Sequence, residues 1–200
     1  MRRVPALFLF SVAAFVSSHI AYTPVFASWI RDGNVVIQKV NNQQSSVAIA
    51  DGQGGVFVAW ADERVSTLQS DIYVQRIDAE GNPMWNSNGV AVCTATGYQA
   101  APSIATDAAG GIVVAWEDRR GGVALDIYAQ RVNSAGVPQW ASNGVAICVA
   151  ANDQTDHGIA SDGLGGAYLA WVDRRTDALG DVYAQRVNGS GARTMILHIL

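Results

Sequence analysis

Asp62 and Asp71, Asp118 and Asp126, and Asp173 and Asp181 stand at the two ends of three short segments, and an arginine follows the first member of each pair: Arg64, Arg120 and Arg175. Paired carboxylates can bind a hard cation such as calcium, with backbone carbonyls completing the shell. They can equally fix a turn and neutralise a neighbouring guanidinium. Two carboxylates without a dense D-x-D-x-D spacing are a thin ligand set, so pairing with arginine is the expectation and calcium the alternative. No other cofactor is implied. Arginines from separate units could also grip an anionic substrate. These three occupy one slot of a repeat, however, which spaces them evenly instead of converging them, and no unique Glu and Tyr pair offers a nucleophile. His157 has no partner motif and reads as a loop residue.

Cys93 and Cys148 invite a disulfide, but they are equivalent positions one repeat apart, and Ile37 fills that slot in the first copy. A slot that accepts Ile or Cys is an apolar packing slot. Equivalent positions in neighbouring units should also lie beyond the Cα separation of about 7 Å that a disulfide tolerates. Two buried thiols are expected.

The elements that position these groups come from an internal repeat. DIYVQR at 71–76 returns as DIYAQR at 126–131 and DVYAQR at 181–186. Each copy opens on a Trp and a Gly (Trp29 and Gly33, Trp85 and Gly89, Trp140 and Gly144), followed by VVI at 35–37, VAVC at 90–93 or VAIC at 145–148. A second apolar stretch then leads into DGQGGVFVAW, DAAGGIVVAW or DGLGGAYLAW, ending at Trp60, Trp116 and Trp171. ADER, EDRR or VDRR precedes the hexapeptide, and GNPMW and GVPQW turn the chain into the next copy.

Each copy of about 55 residues thus holds four short apolar segments separated by Gly, Asp, Asn and Pro, the arithmetic of a β-propeller blade. SVAIA should be the innermost strand, VFVAW the second, DIYVQRI the third and the GVAVC segment the outermost. Apolar residues at consecutive positions from Val56 to Trp60 leave the second strand no wet face. The third alternates, with Tyr73, Gln75 and Ile77 on one side and Arg76 on the other, its head kept in water. The Gly-rich turns supply positive φ, and their Asp side chains can bind turn amides. A phosphate loop would need a following helix and a Lys, and neither is present. The repeated Trp residues read as packing anchors.

The fold class is therefore all-β: a propeller-like arc of three four-stranded blades, copies at about 29–81, 85–136 and 140–190, with an atypical tail at 191–200. Ahead of it, Arg2 and Arg3 precede the apolar run VPALFLFSVAAFV, too short to span a bilayer, and Val25 and Ala27 meet a signal peptidase's need for small residues. Cleavage after Ala27 predicts export to the cell surface or beyond, with no membrane span remaining. The remainder carries eleven basic against 17 acidic residues, a net charge near −6. That sign and the lack of a basic run argue against nucleic acid and anionic membranes.

Units reading DGxGGxxVAWxDxR, then DIYxQR, then GxxxWxxxGVxxC resemble the tandem repeats of bacterial exported proteins, relatives of the BNR or Asp-box propellers that include sialidases. The resemblance covers nearly all of residues 29–190 and implies a propeller. It leaves two functions open: a non-catalytic module binding an extracellular protein or glycan, which is the expectation, or a fragment of a sialidase-like or other glycoside-processing enzyme. A binding site should use the loops that differ between copies, at 65–69, 94–99, 121–125, 149–157 and 176–180, which emerge on one face. Gln69, Tyr98, Gln99, Asp153, Asp156 and His157 are the candidate ligand-binding residues. Three units leave an apolar face at each end, which predicts further repeats or self-association.

Overall fold

A computed structural model describes residues 29–194. The expected signal segment at 1–27 lies outside the described residues, as does most of the C-terminal tail. Among the described residues the structure is all-β, with eleven strands: β1 (Gln43–Ala50), β2 (Val56–Ser66), β3 (Gln69–Ile77), β4 (Val90–Cys93), β5 (Gln99–Thr106), β6 (Ile112–Asp118), β7 (Asp126–Val132), β8 (Val145–Cys148), β9 (Gln154–Ser161), β10 (Ala167–Asp173) and β11 (Asp181–Val187). No helix among them is long and apolar enough to cross a membrane.

All pairing between strands is antiparallel, and the sheets read β1-β2-β3-β4, β5-β6-β7-β8 and β9-β10-β11. One correction follows. Two sheets have four strands and the third has three, where three four-stranded units were expected. The sheets are also offset from the copies counted from Trp to Trp. The outermost strand of each four-stranded sheet comes from the following copy, in the expected order SVAIA, VFVAW, DIYVQRI, GVAVC for the first, so Cys93 closes the first sheet and Cys148 the second. Residues 35–37, the first copy's version of that strand, form no strand, because no edge is available to them among the described residues.

The sheets pack face to face. Phe57, Ala59, Ala61, Ile72, Val74 and Val92 of the first meet Ile112, Val114, Trp116 and Val132 of the second. Val113, Ala115, Ile127, Ala129 and Ile147 on the other face of the second meet Ala167, Leu169, Trp171 and Val187 of the third. β6, in the middle, buries Ile112 through Trp116 without a break, as its unalternating sequence requires. The first strand of each sheet carries an irregularity at the same place, where Ser45, Ala101 and Asp156 adopt φ of 53°, 47° and 55°. A non-glycine residue rarely takes this conformation. Its recurrence in all three sheets makes it part of the scaffold.

Candidate functional site

The hexapeptide DIYVQR is explained residue by residue by its contacts. Ile72 and Ile127 are buried between sheets. Tyr73, Tyr128 and Tyr183 stack on Trp60, Trp116 and Trp171 with centroids 6.2, 6.4 and 6.4 Å apart. Gln75 is buried and grips the next turn: its amide donates to the Asn86 carbonyl at 2.7 Å and accepts from the Trp85 backbone N–H at 3.0 Å. Gln130 does the same with Ala141 and Trp140, each at 2.8 Å. Arg76, expected with its head in water, instead binds Asp51 of the Gly-rich turn at 2.7 Å, and Arg131 and Arg186 bind Asp107 and Asp162. Each of those Asp residues has a second oxygen accepting two turn amides, for example Gln53 and Gly55 on Asp51. With its oxygens so filled, the turn holds the guanidinium that solvent would otherwise hold.

The carboxylate pairs proposed from sequence do come together. Asp62 lies opposite Asp71, Asp118 opposite Asp126 and Asp173 opposite Asp181 in the ladders. The first member of each is already fully engaged. Asp62 accepts from Trp60 Nε1 at 2.7 Å, from the Arg64 backbone N–H at 2.8 Å and from the Arg64 guanidinium at 2.5 Å. Asp118 repeats this with Trp116 at 2.7 Å and Arg120 at 2.8 and 2.6 Å, and Asp173 with Trp171 and Arg175. The guanidinium is then laid over the tyrosine of the hexapeptide, 3.7 Å from the centroid for Arg64, 3.9 Å for Arg120 and 4.1 Å for Arg175. Arg64 and Arg120 also donate to the carbonyls of Asn88 and Asn143. Each Trp–Asp–Arg–Tyr unit thus holds the ion pair that the sequence suggested, while the Nε of Arg64, Arg120 and Arg175 is buried without a partner.

Electrostatics separates Asp62 from Asp71. Burial works to raise the pKa of Asp62, but the hydrogen bonds from Arg64 and Trp60 outweigh it and hold the group below the usual range. The Arg175 guanidinium does the same for Asp173. Asp71 and Asp126 go the other way: burial raises both, and the facing Asp62 or Asp118 adds to it. Among the described residues no group of three or more His, Cys, Asp or Glu side chains is placed to hold a metal ion. The oxygens that calcium would need at Asp62, Asp118 and Asp173 are taken by Trp and Arg donors.

Cys93 and Cys148 are buried free thiols in different layers. Cys93 Sγ lies 3.1 Å from the Arg120 guanidinium of the next sheet, and Cys148 Sγ 3.1 Å from Arg175. Burial nevertheless dominates, pushing the Cys93 pKa up to about 11 and raising that of Cys148. The thiolate is the reactive species. We therefore expect native protein at pH 8 to leave a thiol reagent nearly unconsumed and unfolded, non-reduced protein to titrate two groups. Finding no thiol after unfolding would refute this pairing state.

The candidate ligand-binding residues divide. Gln69 is exposed at the start of β3. Tyr98 is half-buried, its hydroxyl accepting from Gln44 at 3.1 Å. Gln99 is fully buried and unavailable to a ligand; with its amide oriented to satisfy both ends, the nitrogen donates to the carbonyls of Ala95 and Ser70. Asp153 accepts from the Leu125 N–H at 2.9 Å, a structural tie between sheets. Asp156 is exposed, and its N–H donates to Glu117 at 3.1 Å. His157, expected in a loop, lies within β9. Its two nitrogens are shut off from solvent with no partner in hydrogen-bonding geometry, and burial lowers its pKa against smaller opposing effects of the Ala115 backbone and Asp156.

Two pairs of the variable segments meet. Ser70 bridges to Tyr98, and the Gln154 N–H donates to the Leu125 carbonyl, so the loop after the second strand of one sheet meets the segment before the first strand of the next. What residue-type reasoning missed is an exposed aliphatic side chain on each of three of these loops: Leu68, Val123 and Leu179 are 87%, 93% and 90% exposed. Aligning the loops by their closing Asp would have shown it, because an aliphatic side chain stands two or three residues before that Asp each time.

The sequence matches no protein-family model and no curated protein. Among solved structures it is similar to an α-L-arabinofuranosidase from Lactobacillus brevis, at 14% identity and a TM-score of 0.44 over 78% of this chain and 57% of that one. The chain thus aligns with little more than half the length of that enzyme.

Proposed function

We propose that this protein is an exported, non-catalytic repeat module, its sheets arranged as blades of a β-propeller-like arc, that binds a protein or glycan outside the cell through its variable-loop end. The observation that carries the reading is the exposure of Leu68, Val123 and Leu179 at corresponding places on three loops of differing sequence. Burying these side chains against a partner would remove their apolar surface from water. The Trp–Asp–Arg–Tyr units support the non-catalytic half of the reading. A guanidinium bound to its own Asp and lying over its own Tyr is not free to clamp a substrate carboxylate.

The test compares the protein with a Leu68→Ser, Val123→Ser, Leu179→Ser variant on a panel of immobilised polysaccharides and purified extracellular proteins. At least one surface should retain the wild type, and the variant should bind it at least about tenfold more weakly, the loss of roughly 1.4 kcal/mol, with its melting temperature unchanged. Retention on no surface, or equal retention of both proteins, would overturn the reading. Aryl glycosides and sialosides assayed in parallel should show no hydrolysis. Turnover abolished by Arg120→Ala would favour the glycosidase alternative.

A further inference from the structure

The joint between the second and third sheets differs from the joint between the first and second at one place. Ser103 stands opposite Ala115 in the ladder of the second sheet, and Ala115 belongs to the face that packs on the third. Residues directly opposite in an antiparallel pair share a face, so the Ser103 side chain enters that joint. His157 reaches the same place from the third sheet, its ring lying against the Ala115 backbone. Ser103 Oγ and both imidazole nitrogens are shut off from solvent, and none of the three has a partner in hydrogen-bonding geometry.

The first joint fills the equivalent positions with apolar groups. Val47 stands opposite Ala59 as Ser103 stands opposite Ala115, and it packs into the core between the first and second sheets. Pro102 follows the positive-φ Ala101 as His157 follows the positive-φ Asp156, and it is buried. Where one joint has valine and proline, the other therefore has a hydroxyl and an imidazole. Polar groups buried without partners are costly, and in folded proteins nearly all of them are paired with one another or with an ordered water. At Ala115 each of these two is the other's available partner.

We infer that the Ser103 hydroxyl donates to the neutral His157 imidazole, directly or through one water, and that this bond is a proton-sensitive lock between the second and third sheets. A protonated ring has no lone pair left to accept with, and it brings a charge into a buried place. The strands packed against β9 offer that charge little. β5 carries no ionisable side chain. On β6, Asp118 is held by Trp116 and Arg120, while Glu117 accepts the Asp156 N–H. On β7, Arg131 is paired with Asp107, Asp126 faces Asp118, and Tyr128 lies under Arg120. On β10, Asp173 is paired with Arg175 and Tyr168 is exposed, and beyond its end Arg174 donates to Thr155. Asp156 alone of these favours the imidazolium, and burial outweighs it, so the His157 pKa lies below the ordinary value of 6.5. The unfolded chain therefore takes up this proton first, and the contribution of His157 to stability, complete above pH 6.5, is lost as the pH falls from there toward the folded pKa. Glu117, whose pKa burial raises, acts in the opposite sense, so the His157 effect is read as a difference between two proteins. The inference is independent of any ligand.

The experiment combines NMR titration of the His157 imidazole, assigned through its contact with Ala115, with urea unfolding of the wild type, Ser103→Ala, His157→Phe and the double variant. The imidazole should titrate below pH 6.5 in the wild type. In Ser103→Ala, where the neutral ring has lost its donor, it should titrate higher. Above that pKa the two substitutions should be coupled, the unfolding constant of the double variant departing from the product of the single effects by roughly two- to tenfold, the worth of one hydrogen bond. Below it the coupling should vanish. Between pH 6.5 and the measured pKa, the unfolding constant of the wild type should climb more steeply than that of His157→Phe, by up to about tenfold per pH unit, the slope of one proton. A His157 pKa at or above 6.5, additive substitutions, or equal pH slopes would each overturn the inference. Should His157→Phe not fold, a His157 pKa left unchanged by Ser103→Ala would overturn it as well.

Discussion

Replacing Asp118 by alanine is expected to destabilise the protein by about 3–5 kcal/mol, the range for removing one partner of a buried ion pair. The reasons are local. Asp118 is fully buried in the central sheet and alone receives the Trp116 indole N–H, the Arg120 backbone N–H and the Arg120 guanidinium. Without it the guanidinium keeps only the Asn143 carbonyl, the Tyr128 face and a thiol. Total stabilities of about 5–15 kcal/mol make a loss of that size close to unfolding. Urea denaturation of the two proteins measures it, with Thr96→Ala, at an exposed position, as the control expected to change little. A difference below about 1 kcal/mol, the value of a surface pair, would show that the repeated Trp–Asp–Arg–Tyr unit is ornament on the scaffold.

The second large effect is expected at Gly144. Its φ is 83°, and a Cβ there would stand 2.5 Å from the Trp116 ring and 2.7 Å from the Ala129 carbonyl. Gly144→Ala combines a left-handed backbone cost of about 1–2 kcal/mol with overpacking of about 1–3 kcal/mol, so a loss of about 2–5 kcal/mol follows. Gly163 separates the two contributions, since its φ is 73° but nothing lies within 4 Å of the added carbon. Gly163→Ala should show the backbone cost alone. Equal melting temperatures for the two variants would mean that the contact between the β8 turn and the Trp116 ring is not tight.

Much of this architecture is legible in the sequence because it is written three times. Repetition identifies the strands, places Asp62 beside Arg64, and marks Cys93 and Cys148 as unpaired through their equivalence to Ile37. What repetition hides is where one unit ends. A periodic pattern has the same period wherever it is cut, so copies counted from Trp29 do not coincide with sheets, and it was the hairpin order SVAIA, VFVAW, DIYVQRI, GVAVC that showed the outer strand coming from the next copy. The partners of identical residues are hidden for a related reason. Arg64 and Arg76 are both arginines of a strand near Asp residues, and only the pleat decides that one meets Asp62 and the other Asp51. Gln99 and His157 were misplaced because polar residues in variable segments read as surface loops. The irregularity at Ala101 and Asp156 instead extends the strand through both segments and turns Gln99 inward. The apolar tips at Leu68, Val123 and Leu179 escaped notice because the loops differ in length and sequence.

The borrowed outer strand has a consequence for synthesis. A chain that emerges from the ribosome N-terminus first makes β1, β2 and β3 before β4 exists, so the first sheet stands with an open edge until residues 90–93 have followed. The same interval recurs between β7 and β8. During each one the third strand of the sheet keeps its outer backbone groups unpaired, the state in which a strand of another chain can be taken up.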